Sequence, residues 1–225
     1  MKTTLFKNCL SAGFFIILAI TLASCNGERL VGDNNVISER RDVSGFERVE
    51  AGGANKVHIA YGESFKVELK GSSNLLAAYE TRLEKETLKL GYKEDVNVDG
   101  DDVEVFITLP TLNGLTLSGS GDMDISGGFP EAREFLVHIN GSGDVNVREA
   151  FKCVSLEVNV SGSGKAELSN LQSVRSDVTI SGSGDTYVHA EEELDVEING
   201  SGTVHYGGSP RVKSDIKGSG QVKRL

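Results

Sequence analysis

The sequence predicts an all-β chain whose main body is a right-handed parallel β-solenoid, built like a single-stranded β-helix from thin stacked rungs. Three observations carry that prediction. The tripeptide G-S-G occurs six times, beginning at Gly119, Gly141, Gly162, Gly182, Gly200 and Gly218, at spacings of 22, 21, 20, 18 and 18 residues. Self-similarity near twenty residues with strand patterning is the mark of stacked repeats. Apolar residues stand at every second position around the glycines, as in Leu115, Leu117, Met123, Ile125, then Val137, Ile139, Val145, Val147, then Val158, Val160, Ala166, Leu168. That is the period of a strand, not of a helix. Finally, the 225 residues include 27 Gly, 9 Phe, 5 Tyr and no Trp, which suits thin rungs better than a sandwich with a bulky aromatic centre.

In chain order, residues 1–24 read as a targeting segment. Lys2 and Lys7 give a positive start, Leu10 to Leu22 is an uncharged apolar run, and Leu22-Ala23-Ser24-Cys25 places small residues before a cysteine. The run is shorter than the roughly 20 residues a spanning helix needs. It resembles a bacterial lipobox, which implies that Cys25 becomes the lipidated first residue of the mature chain. Its acyl chains would then hold the protein to a membrane at about 0.8 kcal/mol per buried methylene. Residues 25–44 are polar, contain Gly27, Gly32, Asp33 and Asn34, and show no sustained period, so they read as a flexible tether. Ordered structure is expected from Gly45-Phe46.

Residues 45–114 read as a less regular β part or cap. Phe46–Ala51, Lys56–Ala60 and Phe65–Leu69 alternate as strands, and Gly52-Gly53 resembles a degenerate form of the later corner. Ser73–Ala78 suits one helical turn, and Thr81–Leu83 and Leu88–Leu90 flank Glu84-Lys85-Glu86 as a hairpin. Asp95-Val96-Asn97-Val98-Asp99-Gly100-Asp101 matches the first half of an EF-hand loop. The twelfth position, which should be Glu, is Phe106, and the flanks pattern as strands, so a hairpin turning at Asp99-Gly100 is the simpler expectation. No metal or other cofactor is expected.

Residues 115–225 form the repeat. Gly119 and Gly121 share parity with the apolar set, so they face inward or make a bend too tight for a side chain, and Ser120 faces outward. Ser120, Ser142, Ser163 and Ser183, followed by Ser201 and Ser219, therefore share one outward position. Ser118, Asn140, Ser161, Ser181 and Asn199 flank them. Stacked at the interstrand spacing they make a hydroxyl and amide strip roughly 24 Å long; the plainer reading is a polar ladder at a tight corner, and the functional one a candidate binding strip for a sugar or protein surface. Two other patterns invite chemistry. Asp122, Asp144 and Asp185 follow the glycines, and two carboxylates one strand apart would suit a glycosidase pair. They recur with the repeat, however, where a catalytic pair occurs once, and Asp is an ordinary turn residue. Glu167, Tyr187 and His205 share an outward position, but a flat column does not converge on a metal. His58, His138 and His189 stand singly, and G-S-G-D lacks the nine-residue period of the calcium-binding solenoids.

Cys9 leaves with the targeting segment and Cys25 is modified, so Cys153, within F-K-C-V, has no partner for a disulfide and reads as a core thiol. Without Lys2 and Lys7 the charge is 23 − 2 = 21 basic against 33 acidic residues, or −12. That sign repels phosphate backbones and argues against a nucleic-acid partner.

R-D-V-S-G-F (Arg41 to Phe46), V-H-I (Val57 to Ile59), V-E-L (Val67 to Leu69), N-L-L (Asn74 to Leu76) and the G-S-G-D rungs together resemble the bacterial putative auto-transporter adhesin head GIN domain family, abundant in lipoproteins of Bacteroidetes type. The resemblance runs from about Arg41 to Gly220. It implies a solenoid of pectate-lyase-like shape without a catalytic set, acting in cell adhesion, and it transfers no functional residues. Lys217 and Gln221 depart from the motif, so the last rungs are expected to fray. The expectation is therefore a non-catalytic lipoprotein of the outer membrane, anchored by its lipid and binding a glycan or surface protein. A polysaccharide-processing enzyme or a periplasmic scaffold are the alternatives.

Overall fold

The computed structural model describes residues 28–93 and 96–225. The targeting segment 1–24 and the lipid attachment expected at Cys25 lie outside the described residues, as does Asp95. The chain begins with β1 (Glu28–Val31) and β2 (Val36–Arg41), then β3 (Arg48–Gly53) and β4 (Lys56–Tyr61). An excursion follows through β5 (Lys66–Ser72), the short helix α1 (Ser73–Ala78), β6 (Tyr79–Glu84), β7 (Thr87–Tyr92), β8 (Val96–Asp99) and β9 (Glu104–Leu109). The rest is strand after strand: β10 (Gly114–Gly119), β11 (Asp122–Ser126), β12 (Ala132–Gly141), β13 (Asp144–Val147), β14 (Phe151–Gly162), β15 (Lys165–Gly182), β16 (Asp185–Gly200), β17 (Thr203–Gly208), β18 (Arg211–Gly218) and β19 (Gln221–Arg224).

These strands stack as a parallel β-solenoid. One side of the stack is β3, β10, β12, β14, the second half of β15, the second half of β16, and β18; the other side is β4, β11, β13, the first halves of β15 and β16, β17 and β19. The register places Gly53, Gly119, Gly141, Gly162, Gly182, Gly200 and Gly218 in one column. Each rung contributes a thin apolar layer, such as Leu115, Leu117, Met123 and Ile125, none more than 2% exposed. No single layer buries enough to fold alone, and the stack makes one core of them.

The parallel ladder does not begin at Leu115. β3 and β4 form a full rung directly beneath β10 and β11, with Gly52-Gly53 as its corner, so residues 45–114 are both solenoid and cap. Beneath that rung, β7 and β9 pair parallel with β3 and β4. Antiparallel β5 and β2 extend the layer from β9, and β6 extends it from β7. Leu75 and Leu76 of α1 are fully buried and close this end of the core.

Three expectations are corrected. Residues 36–41 are not tether but a strand antiparallel to β5. Its Val36 and Ile37 are 54% and 40% exposed; backbone pairing and polar contacts hold it, so no apolar period announces it. The Ser73 hydroxyl donates to Asp33 at 2.6 Å, Asn74 Nδ2 to the Val31 carbonyl at 2.7 Å, and Arg41 Nη2 to the Leu76 carbonyl at 2.8 Å. Asp99-Gly100 does not turn a hairpin: β8 pairs parallel with β1, while β9 joins β4 and β5. The last rung is not frayed, since β18 and β19 keep register with the rung below.

Candidate functional site

The corner explains its own sequence. Each first-glycine carbonyl accepts two backbone N–H groups from the next rung: Ser142 and Gly143 donate to Gly119 at 2.9 and 3.1 Å, and Ser163 and Gly164 to Gly141 at 2.9 and 3.1 Å. The geometry recurs up to Ser219 and Gly220 on Gly200. A Cβ on Gly162, where φ is +125°, would lie 2.2 Å from the Gly141 carbonyl oxygen. The glycine therefore aims at the neighbouring rung, not at the core as parity alone allowed. At the second glycine position a Cβ on Gly143 would meet both the Gly121 oxygen at 2.3 Å and Leu117 Cδ2 at 2.7 Å. In the first rung that position belongs to Asn55, whose carbonyl accepts from Asp122 N. Its side chain is free to turn down because a loop, not a corner, lies beneath: Asn55 Nδ2 donates to Asp101 at 2.7 Å and to the Val103 carbonyl at 3.1 Å.

Between the glycines only an outward side chain fits. Ser120, Ser142, Ser163, Ser183, Ser201 and Ser219 are all exposed, and their hydroxyls make no hydrogen bond to another described residue. They do not ladder with one another, so their hydrogen-bonding capacity faces solvent. Ser118, Asn140, Ser161, Ser181 and Asn199 align beside them. The strip is uncharged from Ser118 to Ser201. It stops at Gly52 on one side, which pairs with Ser118, and at Lys217 on the other, which pairs with Asn199.

Charge flanks the strip. Glu157, Asp177 and Asp195 form one column, and burial, with the carboxylates of Asp195 and Glu157, raises the Asp177 pKa above its ordinary value. The terminal rung reverses the sign: Arg211 pairs with Glu193, Lys213 with Asp195 at 3.8 Å and Lys217 with Glu197 at 3.3 Å. Such a reversal relieves a stack of like charges at its open end. The sequence carried this signal, five basic residues and one acid between Arg211 and Leu225, unread beside the glycine pattern.

The aspartates serve the stack. Asp144 accepts from Lys165 N and Asp185 from Thr203 N, each at 3.1 Å, so their recurrence has a backbone cause. Asp124, beside Asp122, holds Arg148 at 2.8 Å. Glu167, Tyr187 and His205 do share a column, but the Tyr187 and His205 rings lie face to face at 4.4 Å and 5°. Lys165 Nζ covers the far face of Tyr187 at 4.8 Å. The Tyr187 ring is thus occupied by His205 and Lys165 and joins no metal site. In the half EF-hand, Asp99 pairs with Arg29, and Asp101 accepts from Tyr92 Oη at 2.6 Å, from Asn55 Nδ2 and from Val103 N at 3.0 Å. The two carboxylates fasten different parts of the cap, and among the described residues no group of three or more His, Cys, Asp or Glu converges as metal ligands would. Cys153 is buried between Ala132 and Ser173 of adjacent rungs, and burial pushes its thiol up to about 12.

The family model described as Putative auto-transporter adhesin, head GIN domain matches residues 45–210. No curated protein matches the chain. Among solved structures, a putative adhesin from Bacteroides fragilis is similar at 23% identity and a TM-score of 0.72, over 87% of this chain and 100% of its own. A putative lipid binding protein from Parabacteroides distasonis is similar at 21% identity and a TM-score of 0.59, over 88% and 100%. A putative adhesin from Parabacteroides merdae has 17% identity, a TM-score of 0.59 and the same coverage. At these identities the likeness establishes the fold.

Proposed function

Because the chain belongs to the putative auto-transporter adhesin, head GIN domain family, we propose that it is a non-catalytic cell-envelope lipoprotein, held through Cys25, that presents the solenoid for adhesion to a glycan or protein surface. The observation that supports this reading best is the uncharged strip of exposed Ser and Asn side chains, whose serine hydroxyls have no partner among the described residues. A surface offering many weak, identical hydrogen-bonding groups at one spacing suits a repetitive partner, where affinity accumulates over several rungs. Adhesion of cells displaying the protein tests it. Ser142→Lys with Ser163→Lys puts two charged chains in mid-strip and should abolish adhesion, while melting moves by about 0.5 kcal/mol or less per site, as exposed substitutions do. Adhesion that survives both lysines in a normally melting variant would make the strip purely structural. The anchor is tested separately. Cys25→Ala should release folded protein from the membrane fraction; a variant that still pellets with membranes at high salt is held by something other than lipid.

A further inference from the structure

Strand pairing begins close to the lipid-bearing residue. β1 opens at Glu28, already paired with Val96 of β8, and only Asn26 and Gly27 stand between that strand and Cys25. Three Cα steps span at most about 11 Å. With the acyl chains of Cys25 in a bilayer, β1 therefore starts within about one helix width of the headgroups, and the anchor leaves no slack to carry the cap away from them.

The part of the cap fastened to β1 has the surface such a position calls for. Val31, Val36 and Ile37 are 59%, 54% and 40% exposed, and all three border the start of α1. The Val31 carbonyl accepts from Asn74 Nδ2 at 2.7 Å, the Asn35 carbonyl accepts from Ser73 N at 3.0 Å, and Val36 and Ile37 pair with Ser72 and Gly71. Gly32 lies so close beneath them that a Cβ there would stand 2.7 Å from Ser72 Oγ, so this is a fixed surface and not a loose arm. Val36 and Ile37 project from opposite faces of β2, but β2 is the last strand of its layer, and both side chains flank its free edge. The neighbouring charges are already engaged, Arg29 with Asp99 and Asp33 with the Ser73 hydroxyl. Single exposed aliphatics are ordinary, whereas neighbouring ones mark a contact surface. Among the described residues of β10 to β17 no large hydrophobic side chain is exposed.

We propose that this foot of the cap, Val31 to Ile37 around the start of α1, docks on the headgroup layer of the membrane that holds the lipid, and that the rungs rise away from it. The proposal rests on the anchor at Cys25 and goes beyond it, because a lipid on a long tether would leave the cap free of the surface. Six interstrand steps of about 4.8 Å separate Gly53 from Gly218, so Ser219 stands roughly 29 Å further out than the cap corner. Cys153 is buried and a lipidated Cys25 has no free thiol, so Ser38→Cys and Ser219→Cys, both at exposed positions, can each carry a single fluorophore. The lipidated chain is reconstituted in vesicles of phosphatidylethanolamine and phosphatidylglycerol that include a lipid with a nitroxide on its headgroup. The fluorophore at position 38 should lose most of its emission, and that at 219 none. Replacing Val31, Val36 and Ile37 together by Ser should restore emission at 38 while the protein still sediments with the vesicles and melts normally. Full emission at 38 in sedimenting protein overturns the dock and spares the anchor. Equal loss at 38 and 219, as in a molecule lying flat, overturns it too, and so does loss at 38 that the three serines leave unchanged, which assigns the nearness to the short tether alone. Protein that fails to sediment overturns the anchor and the dock together. A Cys25→Ala chain that forms a dimer in the ultracentrifuge, abolished by the three serines, would give the foot to a second copy and not to lipid.

Discussion

Gly162 and Gly100 both hold positive φ, +125° and +67°, yet alanine should cost very different amounts at the two positions. At Gly162 the new Cβ meets a backbone carbonyl at 2.2 Å, whereas at Gly100 nothing lies within 4 Å. Gly100→Ala should therefore cost about 1 kcal/mol, the strain of the left-handed region alone, and Gly162→Ala more than about 3 kcal/mol or failure to fold, as denaturant melts will show. Cys153 offers a titration. Its thiol is raised from 9.0 to about 12 by burial, with Glu131 adding to it, so the folded chain holds its proton more tightly than the unfolded one. The resulting stabilisation is complete below pH 9 and is lost as pH rises toward 12. Native protein should accordingly resist thiol reagents at pH 8, and Cys153→Ala should flatten the fall of melting temperature between pH 9 and 12. The serine column, its glycines and the buried thiol were legible because each rests on local parity or local composition. Asn55 was not: it occupies a glycine position only because a loop runs beneath it, and that is a fact about stacking order which no local pattern carries.

Strands show the same division. The rungs from Leu115 onward alternate and repeat, and they were read with their register. β2 shows no strand pattern because a strand held by backbone ladder and side-chain hydrogen bonds has no apolar face to display, and β8 escapes the sequence because D-G is a strong hairpin dipeptide whose flanks here pair elsewhere. Deleting residues 28–44 tests the β2 assignment: stripping the six-residue ladder from the outer edge of β5 should lower the melting temperature by at least about 5 °C in a chain of this size, whereas loss of a tether would leave it unchanged. The terminal strand tests the sign reversal. Lys213→Glu places a carboxylate directly against Asp195, and Lys217→Glu replaces the cation that reaches Glu197 with an anion, so amide exchange through Arg211–Arg224 should quicken several-fold at low salt. It should recover near 1 M salt, where the screening length falls to about 3 Å.

On the scale of the whole molecule, the order of layers departs from the order of the chain. The rung formed by β3 and β4 is hydrogen-bonded on one side to segments that follow it by 39 to 48 residues and on the other to segments that follow it by 66, so the first rung made is enclosed between two made later. The arrangement has a mechanical consequence. Under a pull applied between the two ends of the chain, the enclosed rung is clamped on both of its faces, while the terminal rung formed by β18 and β19 is held by one neighbouring rung alone. Tension should therefore peel the molecule from the carboxyl end one rung at a time. Each rung of 18 to 22 residues would release about 60–75 Å of extended chain, so single-molecule stretching should give a train of evenly sized steps before the cap yields. A protein that lets out slack in this way would lengthen under load before giving up its hold at the amino end.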